Sequence, residues 1–222
     1  MQLKQKKLNS NKINCDNKLL LLNEINNHIL LEEQPSIFLN SILNTKIFKE
    51  HPFLMLYRLK DTEQSPIHHP EGNVWNHTML VVDCAAKQKN KSRDEKVFMW
   101  AALLHDIGKA ETTKNKKGKI TAYNHESVGA DLCVKFLQEF TTNDKFIKKV
   151  TGLVRWHMQI LHVVKDMPFA DIKAMKEETD INEVALLGYC DRIGRTNIDA
   201  AKEKNNIKIF LEKCRSFDIK KV

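Results

Sequence analysis

Glycine and proline are scarce in this chain, at 7 and 5 of 222 residues. An all-β domain needs many tight turns, so the shortage leans the reading towards helices. No Cys-x-x-Cys pair occurs, and the five cysteines, Cys15, Cys84, Cys133, Cys190 and Cys214, are odd in number and widely scattered. This argues against a zinc ribbon and a disulfide framework, and for a reducing compartment. Long apolar runs are also missing. The stretch from Leu19 to Leu22 stops at Asn23 and Glu24, too short for a signal peptide or a membrane span. The expected location is therefore the cytoplasm, with no membrane partner. No internal repeat interrupts the chain, and no low-complexity linker follows residue 18.

What is present suffices for one domain: 42% of the residues are apolar, enough for a sizeable core. The net charge of +8 is mostly lysine, gathered at Lys4, Lys6 and Lys7, in one loop at Lys114, Lys116, Lys117 and Lys119, and at Lys220 and Lys221. A positive field draws phosphates and polyanions, which favours a nucleotide or RNA substrate. Lysine runs are usually solvated, so this charge adds little by itself.

The pattern of elements divides the chain in three. Residues 1 to 18 are polar and basic, and are expected to be poorly ordered. Residues 19 to 60 form a helical N-terminal extension packed on the core. Residues 61 to 222 form the main helical domain, ending in an amphipathic, lysine-rich helix over 197 to 216. Within it, 74 to 87 is a helix, Ser92 to Glu95 forms a capping box, and Asn143-Asp144 and Asp180 to Asn182 cap later helices. The segment from Lys109 to about Tyr123 reads as a loop that turns at Gly118. Trp75 and Trp156 are packing residues.

The chemistry gathers at Ala101-Ala102-Leu103-Leu104-His105-Asp106-Ile107-Gly108-Lys109. Along a continuing helix, neighbouring side chains diverge by about 100°, so His105 and Asp106 would not meet on one small object. At a helix end they can, and Gly108 suits the left-handed residue that closes a helix. Alone, such a pair is more often a helix-terminal cation with a surface partner. Other positions strengthen the metal reading. His77, His125 and His157 each stand at a helix edge, and Asp191 lies in an apolar helical stretch where a bare carboxylate is costly without Arg192, Arg195 or an ion beside it. Imidazoles and carboxylates without thiolate suit a borderline divalent ion rather than a structural zinc. Six converging ligands exceed the needs of one ion, which leaves room for two about 3.5–4 Å apart. His68 and His69, beside Pro70, read as a solvent-facing turn, with His69 at most lining a substrate entrance.

His77, His105-Asp106-Ile107-Gly108-Lys109 and Asp191 resemble the His…His-Asp…Asp signature of the HD-domain metal-dependent phosphohydrolases. His69-Pro70-Glu71-Gly72-Asn73-Val74-Trp75-Asn76-His77-Thr78, Thr121-Ala122-Tyr123-Asn124-His125-Glu126-Ser127-Val128-Gly129-Ala130 and Asp191-Arg192-Ile193-Gly194-Arg195 are similar to the HD domain attached to bacterial CCA-adding tRNA nucleotidyltransferases. The matching stretches span about residues 32 to 197. The Gly-Ser turn and Asp-x-Asp pair of a nucleotidyltransferase head are absent from this sequence, so nucleotide addition is not expected.

The resemblance implies an all-α HD-domain helical bundle around a divalent metal site, holding one or two ions of Mn, Ni, Co, Fe, Zn or Mg. It implies hydrolysis of phosphomonoesters or phosphodiesters of a nucleotide or RNA end, 2′,3′-cyclic phosphates among them, by metal-activated water. Residue by residue it makes His77, His105, Asp106 and Asp191 metal ligands, and His125 and His157 second-metal or phosphate-contacting candidates. Asp106 would orient or deprotonate the nucleophile, and Lys109 would hold a non-bridging phosphate oxygen. Arg155 and Arg195 would be further phosphate clamps, although each suits a structural carboxylate equally well. Two other readings stand beside this one: an RNA-binding or regulatory module with a structural metal, and a hydrolase of a dNTP or signalling nucleotide.

Overall fold

The computed structural model describes residues 2–196 and 198–217, with side chains from residue 17 onward. Helix α1 runs Gln2–Leu31. The tail expected to be poorly ordered, residues 1 to 18, lies mostly outside the described side chains; its backbone from Gln2 is continuous with the first helix of the N-terminal extension. The stretch before Pro35 contains neither glycine nor proline to stop a helix.

The fold is built around α5, Glu95–Leu104. From Val97 to Leu104 every residue of it is buried. A helix apolar on all sides can only be an interior one, and the sequence Val97-Phe98-Met99-Trp100-Ala101-Ala102-Leu103-Leu104 offers no polar face. Asp94 starts it by accepting from the Val97 N–H at 3.2 Å. The capping box expected from Ser92 is therefore not the one that forms. Ser92 Oγ instead donates to Glu183 Oε2 and accepts from the Asp94 N–H.

Around α5 stand α4 (Val74–Ala86), α8 (Asp144–Trp156) and α11 (Ile181–Ile193), all packed against it. Helix α1 covers another side, with Ile25 and Ile29 fully buried and Asn26 accepting from Trp100 Nε1 at 3.1 Å. The remaining helices are α2 (Ser36–Ile42), α3 (Leu54–Tyr57), α6 (Lys109–Thr112), α7 (His125–Gln138), α9 (Gln159–Val164), α10 (Ile172–Glu178) and α12 (Ala200–Ser216). Side-chain caps at Asn73, Asn143, Asp171, Asp180 and Asp199 accept from N–H groups in the first turns, at or near the predicted starts. Trp75 and Trp156 pack inside and donate to Asn40 Oδ1 and Glu178 Oε2. The all-α class is as expected. The one sheet among the described residues is a hairpin, β1 (Lys114–Lys116) and β2 (Lys119–Thr121), where a loop was predicted.

Gly108 corrects the local reading. Its φ of −72° and ψ of −18° are right-handed, so no left-handed closure is needed there. Glycine is required for another reason: a Cβ at 108 would lie 2.1 Å from His125 O and 2.6 Å from Gly129 N. The backbone after α5 rests directly on the first turn of α7, and that contact sets His125 beside Asp106. Gly108→Ala should destabilise the protein by about 3 kcal/mol or more, since the clash is with backbone that cannot rotate away. Denaturant unfolding checks this, and a loss under about 1 kcal/mol would mean that the two backbones separate freely.

Candidate metal centre

Four histidines and two aspartates from five elements meet at the C-terminal end of α5. His77 comes from the first turn of α4, His105 and Asp106 directly follow α5, His125 opens α7, His157 follows α8 and Asp191 is near the end of α11. All six are buried. Asp106 is the hub. Its Oδ2 lies 3.3 Å from His105 Nε2, 3.8 Å from His77 Nε2 and 2.7 Å from Lys109 Nζ. Its Oδ1 lies 3.4 Å from His125 Nε2 and 3.8 Å from His157 Nε2. One carboxylate thus turns one oxygen to each of two imidazole pairs. Asp191 Oδ1 approaches this first set through His77, 3.0 Å from its Nε2.

Tautomers follow from the outer partners. His105 Nδ1 donates to Ala102 O at 2.9 Å, His125 Nδ1 to Ala122 O at 2.8 Å and His157 Nδ1 to Val154 O at 2.7 Å, each to the carbonyl three residues before it. His77 Nδ1 donates to Glu71 Oε1 at 2.8 Å. Carbonyl and carboxylate oxygens only accept, so each Nδ1 carries the proton and each Nε2 turns inward. Burial pushes the His157 imidazole down to about 3, with His125 and His105 pushing the same way, and burial likewise lowers His125. Their bare Nε2 atoms nevertheless face one another at 3.2 Å. Two nitrogens at that distance suit a shared proton or a metal ion between them.

A divalent ion fits. The point equidistant from His125 Nε2, His157 Nε2 and Asp106 Oδ1 lies about 2.0 Å from each, the length of a metal–imidazole bond. On the other side, His105 Nε2 is fully buried without a hydrogen bond, and Asp106 Oδ2 meets the Lys109 ammonium alone besides the imidazoles. Glu71 Oε2 and Arg195 Nε are likewise buried without one, so three such atoms gather at this one place. Buried polar atoms are normally satisfied, and their concentration here marks a missing ligand.

Electrostatics set the charges. Burial by itself would raise both carboxyls, but Lys109 and His105 hold Asp106, and Arg195 and His77 hold Asp191, well below the usual carboxylate range. Against its own burial, His105 is raised by Asp106. Arg195 donates to Asp191 Oδ1 and Oδ2 at 3.1 and 3.3 Å.

Above the ligands opens a cleft of about 380 Å³, lined by Gln64, His69, Lys109, His125, His157, Lys165, Asp191 and Arg195 among others. Lys109 Nζ bridges Asp106 and Gln64 Oε1, the latter at 2.7 Å, and keeps its third N–H. Arg155 is not brought to the site. It is exposed on α8, donates to Ser127 Oγ and lies over the Trp156 ring. Its expected role as a phosphate clamp is corrected by helix geometry, since residues two apart point to opposite sides and His157 takes the inward one. His69 lines the cleft, as its expected place at an entrance allows, but the solvent-facing reading is corrected. Its side chain is half-buried, lies edge-on to His77 with ring centroids 4.8 Å apart, and donates through Nδ1 to Glu71 Oε1 at 2.9 Å. Sequence reasoning missed Glu71 and Gln64 altogether. Neither shares a helix with the group it orients, so no periodicity signalled them.

The family model for the HD domain matches residues 74–195, more than half of the chain. The chain belongs to the HD-domain family. HD domains bind divalent metals and are of the metal-dependent phosphohydrolase type, which agrees with a centre of imidazoles around a shared carboxylate. Curated relatives include the multifunctional CCA proteins of Halorhodospira halophila, 33% identical over 43% of this chain and 21% of the relative, and of Aromatoleum aromaticum, 32% over 55% and 28%. That of Burkholderia multivorans is 29% identical over 68% of this chain and 37% of its own length. The chain thus spans roughly a seventh to a little over a third of the length of the curated relatives it matches. No helix among the described residues is long and apolar enough to cross a membrane.

Two consequences can be measured. Glu71→Ala leaves Nδ1 of His77 unheld and should weaken divalent-ion affinity by about 10- to 100-fold, the usual effect of losing an outer partner; competition with a chelating dye reads it, and unchanged affinity would remove Glu71 from the centre. In metal-free protein, His69 and His157 hold off protons down to about 3 when folded and take them near 6.5 when unfolded. The unfolded chain then binds more protons between those limits, so stability falls as pH drops from about 6.5 towards 3. His125 and His162, also lowered by burial, add to the fall, and the raised His105 opposes it. Urea unfolding at about pH 7.5 and about pH 5 should show the loss, at up to about 1.4 kcal/mol per pH unit for each displaced proton. A flat profile would contradict it.

Proposed function

We propose that this protein hydrolyses a phosphate ester, mono- or diester, of a nucleotide or an RNA end, 2′,3′-cyclic phosphates included. The observation that carries the reading is Asp106 presenting Oδ2 to His77 and His105 and Oδ1 to His125 and His157. That is the arrangement by which one carboxylate serves two ions, with Asp191 joining the His77 side. The resemblance to the HD domain of CCA-adding tRNA nucleotidyltransferases supports an RNA-end or nucleotide substrate. Divalent ions held there supply Lewis acidity towards phosphoryl oxygens and make coordinated water acidic near neutral pH.

The protein's own groups divide the remaining tasks. Asp106, held ionised well below the usual carboxylate range, is placed to orient the attacking water or to take its proton. Lys109 turns its third N–H to the cleft, where it can bond a non-bridging phosphate oxygen. Arg195 fixes Asp191 and lines the same cleft, so it adds positive charge near the phosphate while serving as a structural partner. The apolar core behind the ligands excludes water and strengthens each of these interactions.

Chelator-stripped protein reloaded with Mn or Ni should turn over p-nitrophenyl phosphate or a nucleoside 2′,3′-cyclic phosphate faster than dNTPs. It should hold about two ions, and His125→Ala should hold about one. Asp106→Ala, folded by circular dichroism, should lose turnover by roughly three orders of magnitude, the scale on which one member of a catalytic unit acts. Retained turnover in that variant, or no hydrolysis of any of these esters with any metal, would overturn the reading and favour a binding module.

A further inference from the structure

Beside the cleft stands the β1–β2 hairpin, whose Ile120 and Thr121 form part of the cleft wall. Its turn residues Lys117 and Gly118 both have positive φ, 53° and 80°, which brings the strands back tightly. The register pairs Lys116 with Lys119 and Lys114 with Thr121, so three lysines share one face with a residue of the cleft wall. Like charges directly opposite one another destabilise a strand pair. No acid offsets them: between Glu111 and Glu126 the sequence has no carboxylate, and none of Lys114, Lys116, Lys117 and Lys119 has an ion-pair partner among the described residues. Tyr123 follows, 72% exposed, two residues before the ligand His125. A row of unpaired cations therefore leads along the hairpin to the cleft mouth, with an open aromatic face beside it.

We propose that this hairpin is a phosphate rail for a single-stranded polynucleotide, with Tyr123 stacking on a base and the terminal phosphate ester entering the cleft. Lysines two apart on a strand stand about 6.8 Å from each other, on the scale of the step between phosphates of an extended chain. Aromatic stacking tolerates any base, so the rail recognises strandedness and charge rather than sequence. The part of this inference that concerns the substrate rests on the hydrolase reading above; the binding surface does not.

The test uses the full chain, loaded with Mn, and a fluorescein-labelled RNA octamer ending in a 2′,3′-cyclic phosphate, with a DNA octamer and a nucleoside 2′,3′-cyclic phosphate as references. Anisotropy should show RNA binding that weakens steeply with salt. A variant with Lys114, Lys116, Lys117 and Lys119 changed to Gln should bind the octamer at least about tenfold more weakly, with the log–log salt slope flattened by about 2 to 3, at about 0.7 for each neutralised phosphate. The same four positions changed to Arg should restore affinity, and the Gln variant should lose at least about tenfold in the ratio of kcat/KM for octamer over mononucleotide. DNA binding equal to that of RNA is expected from a rail that reads only phosphates and stacking. If the Gln variant binds the octamer as tightly as the unmodified protein, or the unmodified protein binds neither octamer at low salt, the rail is wrong even where the mononucleotide is hydrolysed. If the octamer binds as described and no ester is turned over, the rail stands and the hydrolase reading falls.

Discussion

Asp106 is almost wholly buried at the end of the most apolar helix in the molecule, and burial by itself would favour its neutral form. It is held ionised chiefly by Lys109, which touches Oδ2. One lysine cannot satisfy two carboxylate oxygens aimed in different directions, and four inward-facing Nε2 atoms have no protons to give while they remain neutral. The surrounding fold is arranged to sustain this deficit: α5 delivers the carboxylate, and α4, α7, α8 and α11 deliver the groups that face it. Positive charge supplied from outside resolves it, and the geometry accommodates that charge on either side of the one aspartate.

Three of the four histidines are fixed by the same local device. His105 and His157 follow the last turns of α5 and α8, where carbonyls lack a partner from a next turn, and His125 opens α7 just after the carbonyl it uses. Each ring gives its Nδ1 proton to the oxygen three residues back. At His105 and His157 the bond satisfies a carbonyl of the last helical turn while pointing Nε2 inward, so the helix end and the ligand stabilise each other. His77, in the first turn of α4, has no such carbonyl, and Glu71 from the preceding loop takes its place. That loop carboxylate also holds His69 at the cleft wall. The residue outside the helical device is thus the one that needed a partner from elsewhere.

This contrast explains what the sequence could and could not disclose. The helices announced themselves through apolar periodicity and Asn or Asp caps, and the ligand types through the residues at helix ends and the resemblance of their spacing. Arg155 lies two residues before His157, a spacing that turns it away from the site by helix geometry alone, whereas Arg195 stands two residues past the end of α11 and reaches back to Asp191 from the turn that follows. Gly108 was misjudged because its constraint is not local. A left-handed turn is the ordinary reason for glycine after a helix, but here the reason is the backbone of α7, seventeen residues further on at His125 and arriving only in three dimensions. Glu71 and Gln64 were silent for the same cause. The hairpin was hidden by its composition, since lysine is a weak strand former and three-residue strands leave no periodicity to count. Helix α9 was hidden because α8 ends at Trp156 with no glycine or proline to mark the break.

Because the six candidate ligands come from five separate elements, the full set assembles only in the tertiary fold. His105 and Asp106 are neighbours, but His77 is 28 residues before His105 and Asp191 is 85 after Asp106. In such an arrangement the ion has affinity for the folded state and little for the unfolded one, so binding free energy becomes folding free energy. The same coupling runs the other way. Trp100, Phe136 and Phe98 pack the interior from which Asp106 emerges, and a void among them would shift α5 relative to α7 and α8. An ion site whose bonds tolerate only tenths of an ångström therefore depends on core residues that never approach it, and packing density in the core sets how well the ligands hold their ion.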